Sequence, residues 1–179
     1  MNNYKKNLEL LSKNHVYSRE MEHDACGVGA IVSTEGKKSR LIVEYGIEAL
    51  KAVWHRGAVD ADGKTGDGAG IHLEIPKDFF IEKIEVTGHD YDNSEICVGM
   101  IFLPRNDYSA QESCKTIVES ELTKNNFSIY GWRQVPVNPK ILGQKAFQTM
   151  PEIMQVLFKS NNKNLLDKDL ERKIYETRK

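Results

Sequence analysis

Cys26 lies in the stretch "EHDACGVGAI", where a charged segment gives way to small and apolar residues. A cysteine can serve as a nucleophile. An N-terminal cysteine would also carry an α-amine, whose pKa of ~7.7–8.0 lets it act as a base. Cleavage between Ala25 and Cys26 would put both groups on one residue. The alternative is an unreactive cysteine in the core, which is a common use of free cysteines. These residues alone leave both interpretations open.

A glycine-rich stretch, "HRGAVDADGKTGDGAG", occupies residues 55–70. It is similar to a phosphate-binding P-loop, but five residues separate Gly57 from Gly63 where that loop requires four. It also follows a predicted helix and precedes a predicted strand, which is the reverse of the P-loop order. The pattern therefore argues against a P-loop. Its end, "TGDGAGI" (65–71), also resembles a glycine-rich dinucleotide loop, but again a strand is predicted to follow it. For residues 65–71 two interpretations remain: a tight turn with a strand bulge, or a rigid active-site wall with Asp67 directed inward.

Three motifs, "DACGVGAI", "HRGAVDADGKTGDGAGI" and "YGWRQVPVNP", follow one another along the chain. In this order they resemble the glutaminase domain of the glutamate synthase family, a class II, or N-terminal nucleophile, glutamine amidotransferase. The stretches "PEIMQVLF" and "LERKIYETRK" also resemble later parts of that domain. The resemblance runs from about Arg19 to the end of the chain.

The resemblance implies an αββα N-terminal nucleophile hydrolase sandwich, α+β in class, and L-glutamine as the substrate. Cys26 corresponds to the nucleophile, residues 1–25 to a propeptide-like leader, and residues 26–179 to the N-terminal portion of a type 2 amidotransferase domain. Arg56, Asp67 and Gly68 are implied to support the active site or to bind substrate. The implied reaction forms a glutamyl thioester, releases ammonia and then yields glutamate.

The resemblance also implies flavin mononucleotide (FMN) and an iron–sulfur cluster in later domains of the family's full-length enzyme. We expect no cofactor and no metal in this chain. The expected partners are those later synthase domains and a small reductase subunit, while the electron donor (NADPH, NADH or ferredoxin) stays open. Two alternatives are another class II amidotransferase and a catalytically silent scaffold or assembly fragment of the same fold.

One departure concerns the oxyanion hole, for which class II amidotransferases use an Asn-Gly pair. This sequence contains no Asn-Gly dipeptide. We therefore expect a domain that is incomplete at its C-terminus, inactive by itself, and left with an uncovered sheet face or edge.

Apolar spacing predicts the elements that must position these residues. Continuous or alternating apolar runs predict strands over 26–33, 71–76, 97–104, 128–137 and 153–158. One helix is predicted from the spacing of Val43, Ile47, Leu50 and Trp54. A second follows a capping box of Ser109 and Glu112, and a third begins near Leu166.

The composition is typical of a globular domain: 179 residues, 40% hydrophobic, with 25 basic against 26 acidic side chains. This balance gives no support for nucleic-acid or membrane binding. The three cysteines, Cys26, Cys97 and Cys114, lie far apart, which favours a reducing cytoplasm over a disulfide framework. We expect Cys97 and Cys114 to lie in the core.

Overall fold

The computed structural model describes residues 6, 27–54, 57–66, 68–162, 165 and 167–179. The chain divides into two compact units, residues 1–56 and 57–179, and each is described by itself. Cys26, Arg56 and Asp67 lie outside the described residues.

The first unit contains helix α1, Arg40–Ala52. Ser39 has extended backbone and its side chain accepts a hydrogen bond from Leu41 N, which explains the start of the helix. The predicted helix is therefore confirmed, although it ends before Trp54. The predicted strand is wrong for residues 27–33, which form no regular element. Val28 is 94% exposed.

The second unit alternates helices and strands. Its elements are α2 (Lys77–Val86), β1 (Cys97–Leu103), α3 (Tyr108–Lys124), β2 (Phe127–Gln134), a 3₁₀ turn (Pro139–Ile141), α4 (Gln144–Thr149), β3 (Glu152–Ser160) and α5 (Asp167–Arg178). The mixture of helices with one small antiparallel sheet confirms the α+β class. Two predictions were wrong: residues 71–76 form no strand, and the cap of α3 is Asp107, which accepts from Ala110 N. Helices α2 and α4 were not predicted.

The three strands form an antiparallel sheet in the order β1-β3-β2. The long apolar run of β3 lies in the centre, and the predicted edge position of the strand before Pro136 is confirmed for β2. A bulge between Ile129 and Gly131 shifts the register of β2. Gly131 has φ +147°, and a Cβ there would lie 2.8 Å from Thr87 Cγ2, so both backbone and space require glycine.

The two faces of the sheet are packed differently. Helices α3 and α5 pack on one face, where Val156 and Phe158 join Leu122 in one core cluster. Helix α2 packs on the opposite face, where Leu157 contacts a cluster that includes Ile84. Met100 and Phe102 of β1 stay 47% and 64% exposed. The expectation of an uncovered stretch of sheet is thus confirmed for the described residues.

Candidate functional site

Of the predicted site, the structure describes the segment between Arg56 and Asp67, together with Gly68. Residues 57–66 follow Arg56 in the sequence and precede Asp67, and Gly68 comes next. Gly68 is exposed, and a Cβ there would meet no atom within 4 Å. The structure therefore describes residues 57–66 and Gly68, while the three predicted residues with side chains, Cys26, Arg56 and Asp67, lie outside the described residues.

Residues 59–66 form a tight hairpin. Val59 and Gly66 make an antiparallel bridge, Asp60 N donates to Thr65 O at 2.7 Å, and Gly63 N donates to Asp60 O at 2.9 Å. In the part of the chain that the structure describes, the next helix after the hairpin begins at Lys77, so the hairpin lacks the helix N-terminus on which a P-loop depends. The tight turn lies at residues 59–66, whereas for residues 65–71 the choice between a tight turn and an active-site wall stays a prediction.

Asp62 organises the tip of this hairpin. Its carboxylate accepts from Thr65 Oγ1 at 2.5 Å, from Thr65 N at 2.6 Å and from Lys64 N at 2.9 Å. These donors, the Thr65 hydroxyl first, hold the pKa of Asp62 well below its usual range. Asp62 is therefore ionised at neutral pH and acts as a turn-forming acceptor, not as a general base.

The hairpin rests on the start of α4. Lys145 Nζ lies 2.6 Å from Asp60 Oδ2, and Ala146 N donates to Thr65 Oγ1 at 3.5 Å. A shallow concavity of about 210 Å³ is lined by Ala58, Val59, Asp60, Thr65 and Gly66. Ligand sites commonly enclose ~300–1,000 Å³, so the hairpin supplies at most one wall of a site.

Of the two described cysteines, Cys97 belongs to the hydrophobic core. Cys97 is buried, and burial, followed by the nearby charges of Glu95 and Glu171, raises the pKa of its thiol to about 12. Cys114 is half-buried on α3. Cys97 is therefore confirmed as a core residue and is a poor nucleophile. Among the described residues, no three His, Cys, Asp or Glu side chains come together to hold a metal ion.

Sequence reasoning missed Asp60, Asp62, Thr65, Gly143 and Lys145. The Asp62-Gly-Lys-Thr65 spacing is a local signal for a side-chain-supported turn. The contacts with residues 143–146 join positions about 80 apart in sequence, and no local pattern indicates them.

Comparison with known protein families decides the assignment. The sequence model of the family "Glutamine amidotransferases class-II" matches residues 26–179. The chain belongs to this family. The match covers the glycine-rich stretch, the hairpin and every helix and strand described above.

Individual relatives are glutamate synthases. The chain is 51% identical over 176 residues to the glutamate synthase [NADPH] large chain of Azospirillum brasilense, covering 98% of this chain and 12% of the relative. It is 40% identical over 159 residues to ferredoxin-dependent glutamate synthase 1, chloroplastic/mitochondrial, of Arabidopsis thaliana, covering 88% of this chain and 10% of the relative.

A third relative is the ferredoxin-dependent glutamate synthase of Pyropia yezoensis, 39% identical over 172 residues and covering 95% of this chain and 11% of the relative. The chain thus spans about a tenth of the length of these curated relatives. None of its described helices is both long enough and apolar enough to cross a membrane.

Proposed function

We propose that this chain is the glutaminase part of a glutamate synthase, acting on L-glutamine. The observation that carries the proposal is the class-II match over residues 26–179, together with 51% identity to a glutamate synthase large chain. The matched region begins at Cys26, the proposed nucleophile. In this proposal residues 1–25 are a leader and residues 26–179 belong to the amidotransferase domain.

The chemistry follows from putting a thiol and a free α-amine on Cys26. The α-amine takes the thiol proton, and the sulfur attacks the side-chain amide carbon of glutamine. The C–N bond breaks, the nitrogen regains a proton and ammonia leaves a glutamyl thioester. Water then breaks the C–S bond and releases glutamate. Ammonia passes to later domains for reductive amination of 2-oxoglutarate.

Arg56, Asp67 and Gly68 are proposed to support this reaction or to bind glutamine. The hairpin of residues 59–66 supports that role, because its two ends lead in sequence to Arg56 and to Asp67. Gly68 has open space where a side chain would start, so its backbone can be approached closely by a substrate.

The αββα sandwich is the finer fold that we propose. The class II family match supports it, and the exposed Met100 and Phe102 leave apolar sheet surface for further packing. FMN and the iron–sulfur cluster are assigned to later domains of the synthase. No step of the proposed glutamine hydrolysis uses either cofactor.

The higher identity to the [NADPH] large chain, 51% against 40% for the Arabidopsis ferredoxin-dependent enzyme, supports a nicotinamide electron donor supplied through a small reductase subunit. The same identity favours glutamate synthase over another class II amidotransferase. The proposed location is the cytoplasm.

The test uses the natural polypeptide, by which we mean the complete gene product that includes these 179 residues. We expect it to release ammonia from glutamine, with an N-terminus at Cys26 by mass spectrometry. Cys26→Ser should abolish release, whereas the control Cys114→Ser should retain it. An intact Met1 together with no ammonia release would favour the silent scaffold and overturn the proposal.

A further inference from the structure

Helix α4 lacks a cap from its own segment. Its N-cap residue, Gly143, has no side chain to accept a hydrogen bond from the first turn. The missing acceptors come from the hairpin, because Ala146 N donates to Thr65 Oγ1 and the Lys145 backbone N–H is among the donors that interact with Asp62. Thr65 and Asp62 thus act as a cap supplied from a distant segment.

Close approach at Gly143 makes this arrangement possible. A Cβ at Gly143 would overlap Thr65 Oγ1, Thr65 N and Asp62 Oδ2. Gly143 has φ −68° and ψ 162°, which any residue adopts, so space alone requires glycine here. The Ala146–Thr65 hydrogen bond is long, at 3.5 Å, and the Lys145–Asp60 pair is solvent-exposed. Close approach at Gly143 is therefore the tightest steric constraint among these contacts.

We propose that Gly143 is a positioning residue for glutamine hydrolysis, acting through the hairpin of residues 59–66. This inference rests on the proposed glutaminase function. Gly66, the last hairpin residue, directly precedes Asp67, and Arg56 lies three residues before Val59, so moving the hairpin moves the chain to which both proposed support residues are joined. A displacement of about 1 Å near a reacting centre can cost ~10²-fold in rate.

The experiment compares two glycine substitutions in the natural polypeptide. Gly143→Ala forces the hairpin away from α4. Gly99→Ala is the matched control, because its Cβ would lie 2.8 Å from Val156 Cγ1 within the sheet, and it tests the cost of crowding alone. For folded protein, we expect Gly143→Ala to lower kcat for glutamine by ~10²-fold with a smaller change in KM. Gly99→Ala should keep the wild-type kcat.

Two further measurements separate positioning from general destabilisation. Thr65→Val removes the hydroxyl and should lower kcat, whereas Thr65→Ser keeps Oγ and should restore it. These variants also test the inference if Gly143→Ala does not fold. Trypsin cleavage after Lys64, at the exposed hairpin tip, should be faster in Gly143→Ala and unchanged in Gly99→Ala.

The outcomes distinguish this inference from the proposed function. A wild-type protein that releases no ammonia overturns the proposed function and the catalytic part of the inference, while faster cleavage after Lys64 in Gly143→Ala would still support hairpin docking. An active wild type with unchanged kcat in Gly143→Ala and in Thr65→Val overturns the inference alone. Equal kcat losses in Gly143→Ala and Gly99→Ala would also overturn it.

Discussion

The two described cysteines differ in burial, since Cys97 is buried and Cys114 is half-buried. Burial raises the pKa of Cys97 to about 12, and Glu95 and Glu171 add to the rise, so its thiol is neutral at physiological pH. Cys114 lies on α3, whose face toward the sheet is apolar at Val118 and Leu122. Thiolate is the reactive form, so the environment of Cys97 disfavours attack on an electrophile.

A glutamine-like electrophile should therefore label Cys26 in the natural polypeptide and spare Cys97 and Cys114. A free α-amine on Cys26 would supply the base that the other two cysteines lack. Peptide mapping by mass spectrometry measures the labelled site. Equal labelling of Cys26 and Cys114 in a chain that retains its leader would contradict the N-terminal nucleophile mechanism.

Arg56 and Asp67 are predicted to form one polar cluster at the mouth of the site. Removing one partner of a buried ion pair costs ~3–5 kcal/mol, because the other charge is left without compensation. Arg56→Ala should therefore strongly impair folding or glutamine hydrolysis of the natural polypeptide. Arg40→Ala is the control, since Arg40 pairs with Glu44 on an exposed helix surface. An experimental structure with both Arg56 and Asp67 directed into bulk solvent would refute the cluster.

At the scale of elements, Asp92 ties the loop after α2 to two strands. Its carboxylate accepts from Tyr130 Oη on β2 at 3.0 Å and lies 2.6 Å from Lys159 Nζ on β3. Ser94 N also donates to it, at 3.2 Å. These contacts, with Lys159 the largest, hold the pKa of Asp92 well below its usual range. The cluster joins the central strand to its neighbour and to the loop.

This depressed pKa has a defined consequence for stability. Between the folded and unfolded pKa values of Asp92 the unfolded state binds more protons, so stability rises with pH there. The contribution is present above the unfolded value of 3.8 and is lost as pH falls through the lower folded value. Asp92→Asn should destabilise the natural polypeptide at pH 7 by about 1 kcal/mol, a figure reduced for solvent screening.

Urea unfolding at pH 7 and at acid pH measures this effect. The acid-side loss of stability should be smaller in Asp92→Asn than in the wild type, while the control Asp90→Asn, at an exposed loop position, should match the wild type. Equal acid sensitivity of Asp92→Asn and wild type would rule out a role for Asp92.

The helices and strands that were predicted best are those whose own segments carry a clear apolar pattern. Strands β1 and β3 are apolar runs buried at several positions, and α5 begins near the predicted residue. The alternation over 71–76 gave a wrong strand, because a strand needs a pairing partner and the described residues provide none. Helix α4 has only six residues, and its cap acceptors come from Thr65 and Asp62, far away in sequence. Its own segment therefore contains little sequence pattern that would predict a helix.

At the scale of the whole molecule, the sequence indicated the family through motifs, not through geometry. The order of the motifs around Cys26 and Asp67 led to the class II assignment, which the family match over residues 26–179 confirms. The contact between Gly143 and the hairpin could not be predicted, because it depends on how two segments about 80 residues apart pack. The roles of Cys26, Arg56, Asp67 and Gly68 stay predictions.

The last prediction concerns the 179-residue chain by itself, which we expect to be a poor glutaminase. Thioester formation and hydrolysis pass through an oxyanion, and losing one preorganised donor costs ~10²–10³ in turnover. The sequence contains no Asn-Gly pair of the kind that class II amidotransferases use. Residues 26–179 by themselves, with Cys26 at the N-terminus, should therefore release ammonia from glutamine at least ~10²-fold more slowly than the natural polypeptide. Comparable turnover in both would mean that the oxyanion donors lie within these residues and that the expected dependence on an Asn-Gly pair is wrong.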